Sequence, residues 1–91
     1  HGLAPLLAEV ALRHHRLVGG SASAAERLRA AQPALTEREV QVLALLAEGL
    51  TVDGAAAELG IKPTSVITYR NRGYQRLGIH SRRELFARLM T

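Results

Sequence analysis

A chain of 91 residues makes one small domain or a piece of a larger protein, and with 47% hydrophobic and 22% charged residues it should pack rather than stay disordered. It has no cysteine, which excludes disulfide staples and cysteine-based metal or redox sites, and no apolar run long enough to span a membrane. The net charge of +4 is unevenly divided: from Lys62 onward seven Lys and Arg face only Glu84, whereas residues 1–61 carry five arginines and seven acids.

In chain order, residues 3–18 read as an amphipathic helix. Pro5 fits the first turn, and Leu3, Leu6, Leu7, Val10 and Leu17 keep helical spacing until Gly19-Gly20 stops it. Residues 19–34, rich in Ala, Ser and Gly with Pro33 near the end, read as a linker. Within it Ser23 and Glu26 stand at capping-box spacing ahead of Arg27-Leu28, which allows a short helix. Thr36-x-x-Glu39 is a second capping box. It opens the periodic run Val40, Leu43, Ala44, Leu46 and Ala47, which Gly49 closes. Thr51 suits the N-cap of a helix through Ala55, Ala56 and Leu59, ended by Gly60. Lys62-Pro63 opens another, with Pro63 at its first position and Gly78 after its last apolar residue, Leu77. Ser81-x-x-Glu84 starts the last helix, carrying Leu85, Phe86, Leu89 and Met90. No stretch alternates with period two, so the expected fold class is all-α.

Ala56, Gly60 and Val66 have the spacing of two helices crossing steeply over a short turn. The small Ala56 lets the helices touch, Gly60 tolerates positive φ in the turn, and Val66 seals the crossing. On a wheel of the helix opening at Pro63, Val66, Tyr69, Gly73 and Leu77 fall within an arc of roughly 80°, which predicts a core face. Opposite lie Thr64, Ile67, Thr68, Asn71 and Gln75, bordered by Ser65, Arg72 and Arg76 on one side and Arg70 on the other. An uncharged strip between arginines suits a helix in a major groove, the strip meeting base edges and the flanks reaching the phosphates. The uneven charge points the same way, with acidic protein or membrane surfaces as the competing charge-driven partners. Three aromatic residues, Tyr69, Tyr74 and Phe86, are too few for the stacking platforms of single-strand binders, so double-stranded DNA is favoured.

No nucleophile elbow, phosphate loop or catalytic grouping of acids occurs, so an enzyme is not expected, and no cofactor is implied. His14 and His15, adjacent on a predicted helix, point about 100° apart and make a poor metal site. His80 stands where it could meet a phosphate.

The stretch 35–89 resembles the C-terminal helix-turn-helix domain of LuxR-type (FixJ/NarL-type) bacterial transcription regulators. Leu35-Thr36-x-Arg38-Glu39-x-x-Val42-Leu43 matches the family's opening. Leu46-x-x-Gly49-x-Thr51, Ala56-x-x-Leu59-Gly60-Ile61, Ser65-Val66, Leu77-Gly78-Ile79 and Ser81-Arg82 follow without insertion. The resemblance implies a four-helix helix-turn-helix domain over 35–91, preceded by the linker at 19–34 and, over 1–18, the end of an upstream regulatory domain. It implies base reading by Ile67, Thr68 and Asn71, and phosphate contacts from Lys62, Thr64, Ser65, Arg70, Arg72 and Arg76. It implies a cytoplasmic homodimer on paired half-sites that meets its partner through Leu85, Phe86 and Leu89. The amphipathic stripe of residues 3–18 offers a second route to a dimer.

Against the family's usual pattern, Ile67 stands where Lys is frequent, Tyr69 where His is, Lys62 where a capping Ser is usual, and Gly73 where a bulky apolar residue is. An exposed Ile67 can meet a thymine methyl and Asn71 can pair with adenine, which predicts an A·T pair at the centre of the half-site. The other functional class consistent with the sequence is a helical module that binds acidic protein surfaces, RNA polymerase included, without reading DNA. A sigma-factor-like promoter reader shares the helix pair, but the 35–38 opening and the Leu77-Gly78-Ile79 ending speak against it.

Overall fold

The computed structural model describes residues 23–90, and the elements in that range are helices. They are α1 (Ala24–Ala31), α2 (Glu37–Ala47), α3 (Val52–Leu59), α4 (Pro63–Leu77) and α5 (Arg82–Met90). The helix expected over 3–18, with the dimer contact suggested for it, lies outside the described residues.

Four of the five starts follow from a side chain that satisfies a helix N–H otherwise left without a partner, and α4 opens instead on Pro63, whose ring presets the helical φ. The Ser23 hydroxyl accepts from Glu26 N at 3.2 Å while the Glu26 carboxylate accepts from Ser23 N at 2.9 Å. That Ser23 backbone N–H, with the hydroxyl next, holds the Glu26 carboxyl below its ordinary range. Thr36 and Glu39 repeat the box, and Thr51 accepts from Gly54 N at 3.0 Å. At α5 the box is altered: Ser81 Oγ accepts from Glu84 N, but the Glu84 carboxylate reaches past Ser81 to His80 N at 2.6 Å. The stops are equally local. Gly60 (φ 68°) and Gly78 (φ 72°) are left-handed, and the next residues, Ile61 and Ile79, donate back to the carbonyls of Ala56 and Tyr74, both at 3.0 Å. Only glycine takes that backbone without strain, which is why α3 and α4 end there.

Helix α2 is the centre of the packing, with α4 and α1 against it and α3 lying on α4. Its Val40, Val42, Leu43 and Leu46 join Ala55 and Ala56 of α3, Val66 and Leu77 of α4, and Leu85 and Leu89 of α5 in one core. The three-residue turn at 60–62 brings α3 against α4, with Ala56 (3% exposed) and Val66 (fully buried) both in the core, as the spacing predicts.

Two features of this packing bear on the sequence expectations. Within the stretch 19–34 the short helix allowed by Ser23 and Glu26 forms as α1, and its Leu28 is fully buried in the core. Core packing among the described residues thus reaches ahead of residue 35, through Leu28. Leu85 and Leu89, expected at a dimer contact, are buried in the chain's own core, since their i, i+4 stripe is what fastens α5 to the rest. Phe86 of that trio stays on the surface, with Met90 beyond it.

The room left at Gly73, where the family usually has a bulky apolar residue, is taken by Leu43 of helix α2. A Cβ at Gly73 would lie 2.6 Å from Leu43 Cδ1 and 3.2 Å from its Cγ, so Leu43, fully buried in the core, would have to shift within its packing. Overpacking of this kind costs about 1–3 kcal/mol, which outweighs the gain of about 1 kcal/mol in helix propensity. Gly73→Ala should lower the melting temperature by roughly 5 °C in a thermal scan; a rise would show that Leu43 does not fill this position.

Candidate nucleic-acid interface

Helix α4 separates into two faces. Val66, Gly73 and Leu77 are buried and Tyr69 is half-buried, whereas Thr64, Ile67, Thr68, Asn71 and Gln75 are exposed. Ile67, at 37% exposure, is the one large apolar side chain on that outer strip. Thr68 Oγ1 donates to the Thr64 carbonyl at 3.1 Å, which fixes its hydroxyl proton inward and leaves its methyl and oxygen lone pairs outside. Lys62 precedes the helix without any side-chain cap bond, and the first turn holds no acid. The positive end of the helix is thus left for an outside anion.

The cations sort by what already holds them. Lys62 and Arg72 are exposed and make no ion pair or side-chain hydrogen bond among the described residues. Arg76 differs: its Nε lies 3.1 Å from Glu39 Oε1, and the Glu39 side chain is only 2% exposed. The same carboxylate oxygen caps α2 by accepting from Thr36 N. Arg76 is therefore a partner of a buried acid before it is a phosphate ligand, and a loss of binding on its removal has to be separated from a loss of packing. Arg82 donates to the Leu50 carbonyl and Arg27 to that of Leu89. Arg88 Nη2 donates to the Leu77 carbonyl at 3.0 Å, so these three tie helices together.

Arg70 is the largest departure from its expected role. Both Nε and Nη2 donate to Asn71 Oδ1, at 3.2 and 3.0 Å, and the guanidinium carbon stands 5.9 Å from the centre of the Tyr74 ring. The ring is partly withdrawn from water, and burial raises its phenol above the ordinary value against the opposing pull of Arg70 and Arg82. Tyr74 is thus neutral across the physiological range and presents an uncharged π face to the cation. A cleft of about 330 Å³ opens beside this group, lined by Arg70, Asn71 and Tyr74 of α4 and by His80, Ser81 and Arg82 at the start of α5. Sequence reasoning missed Tyr74 as part of the site. The signal was present in the i, i+4 spacing of Arg70 and Tyr74, which stacks them on one side of the helix.

Among the described residues no group of three His, Cys, Asp or Glu could hold a metal ion, and no helix is long and apolar enough to cross a membrane.

Residues 33–89 match a family model described as GerE, bacterial regulatory proteins of the luxR family. The chain is 41% identical over 58 residues to the transcriptional regulatory protein UhpA of Escherichia coli, covering 64% of this chain and 30% of that protein. It is 37% identical over 75 residues to the probable transcriptional regulatory protein NarL of Mycobacterium tuberculosis, covering 81% of this chain and 35% of the relative. A third relative, the HTH-type transcriptional regulator MalT of Serratia proteamaculans, is 42% identical over 50 residues, which make up 55% of this chain and 6% of MalT. The chain thus spans about a third of UhpA and NarL and a small part of MalT. No solved structure matches it.

Proposed function

This chain belongs to the luxR family of bacterial regulatory proteins, and we propose that it is the part of a transcription regulator that binds duplex DNA, with α4 inserted in the major groove. One observation carries the proposal. The outer strip of α4 is exposed from Thr64 to Gln75 on a helix whose opposite face is core, and Lys62 and Arg72 beside it make no ion pair among the described residues. An inserted helix needs such a ridge, because uncharged side chains can approach base edges while flanking cations meet the phosphate walls. In this reading Ile67 lies against a thymine methyl, Thr68 and Asn71 face base edges, and Lys62, Thr64, Ser65 and Arg72 meet phosphates. Two copies on paired half-sites would present their α5 surfaces to each other, where Phe86 and Met90 are the exposed apolar side chains.

Fluorescence anisotropy with random and selected duplexes at several salt concentrations tests this. The logarithm of the binding constant should fall linearly with the logarithm of salt, with a slope of about 0.9 per phosphate contact. Arg72→Ala should reduce that slope by about 0.9 and weaken all sequences alike. Asn71→Ala should instead cost about 1–3 kcal/mol of discrimination at one base pair. Salt-insensitive binding, or equal losses from both substitutions on every duplex, would overturn the division of roles.

A further inference from the structure

An asparagine that reads adenine uses both ends of its carboxamide: Oδ1 accepts from the base N6–H and Nδ2 donates to N7. The geometry of Asn71 does not leave both ends available. A carbonyl oxygen has two lone pairs, and Arg70 Nε and Nη2 both donate to Asn71 Oδ1, at 3.2 and 3.0 Å. Two donors facing one oxygen also decide the orientation of the amide, because turning Nδ2 toward the guanidinium would set donor against donor. The guanidinium carbon also lies over the Tyr74 ring, 5.9 Å from its centroid, a contact one helical turn on that favours its lying along the helix. What Asn71, exposed on the outer strip, still offers to a partner is the pair of N–H bonds on Nδ2.

We propose that Arg70 is a specificity-determining positioning residue: by saturating Asn71 Oδ1 it makes Asn71 a donor only, which selects guanine over adenine at the base pair it faces. Guanine presents two acceptors, N7 and O6, on its major-groove edge. Adenine presents one acceptor and one donor, and its N6–H finds no lone pair on the clamped amide. The inference rests on α4 reading duplex DNA as proposed above. It reassigns Arg70 from a phosphate ligand to a second layer behind the reading side chain, and it replaces the adenine pairing that the sequence suggests for Asn71.

The test uses the whole chain and a duplex obtained by binding selection, with the base pair facing Asn71 varied through all four possibilities and affinity read by anisotropy. The unsubstituted protein should prefer guanine to adenine by roughly tenfold or more. Arg70→Met keeps an unbranched chain over the Tyr74 ring but removes both donors, and should shift the preference toward adenine by a similar factor. Arg70→Lys, which lacks the two-pronged donor, should not restore the guanine preference. Asn71→Ala should flatten the preference with either residue at position 70. A preference for adenine in the unsubstituted protein, or an order of bases unmoved by Arg70→Met, would overturn the proposal. So would a salt slope lowered by about 0.9 in Arg70→Met with the base order unchanged, since that marks a phosphate contact. In each of these results duplex binding persists and only the clamp falls. Absence of binding to any duplex overturns the DNA-reading function itself, and the clamp's role with it.

Discussion

Ile67→Glu should reduce duplex binding by about two to three orders of magnitude while leaving the helical fold intact. Ile67 is 37% exposed on the outer strip of α4 and is absent from the core, so replacing it removes little packing. Glu is also a better helix former than Ile, so α4 should hold at least as well. In the bound state the new carboxylate would lie between two rows of phosphates in a confined groove, where like charges brought together cost several kcal/mol. Ile67→Ala separates the two contributions. It removes only the apolar contact, and should cost about 1 kcal/mol at one position of the site with no change in salt slope. Circular dichroism would report the fold, and anisotropy at fixed salt the affinity. Unchanged binding by Ile67→Glu would move the contact surface off this strip and onto another face of the molecule.

The same strip shows how far the sequence carries. Helix limits were legible because their causes are local: Thr36 and Glu39 cap each other within four residues, and Gly60 and Gly78 stop the chain by their own backbone freedom. The two faces of α4 were legible for a related reason, since a 3.6-residue period translates directly into burial once one side meets a core. Roles that depend on a second element were not. Glu39 and Arg76 are 37 positions apart, and nothing around either residue indicates that the guanidinium will sit on the buried carboxylate. Leu85 and Leu89 look the same from the sequence whether their stripe closes a core or a dimer; only the position of α2 decides it. The Arg70 clamp lies between these cases. Neighbouring side chains on a helix diverge by about 100°, which argues against Arg70 touching Asn71, yet the length of the arginine lets its fork return to Oδ1.

Leu28→Ala should be among the most destabilising single truncations outside α2, alongside Leu85→Ala, at about 2–5 kcal/mol, because Leu28 is a fully buried large side chain. For a domain of this size, total stability is about 5–15 kcal/mol, and each kcal/mol moves the midpoint by about 4–8 °C. The thermal midpoint should therefore fall by more than about 10 °C. Were residues 19–34 only a tether, the substitution would change nothing measurable, so the experiment discriminates directly between a tether and a core helix. Ser23→Ala, which removes the N-cap of α1 but no core volume, should cost only about 1 kcal/mol and provides the scale. The consequence for recognition is indirect. Helix α1 packs on α2 and α5 and meets α4 at its C-cap, where Gln32 Nε2 donates to the Arg76 carbonyl at 3.0 Å near the far end of α4, so α1 sets mainly how much of the chain is folded rather than the shape of the outer strip. At a temperature where the Leu28→Ala protein is fully helical, its affinity for a selected duplex should match that of the unsubstituted chain. A deficit persisting there would mean that α1 fixes the position of α4 through Leu28.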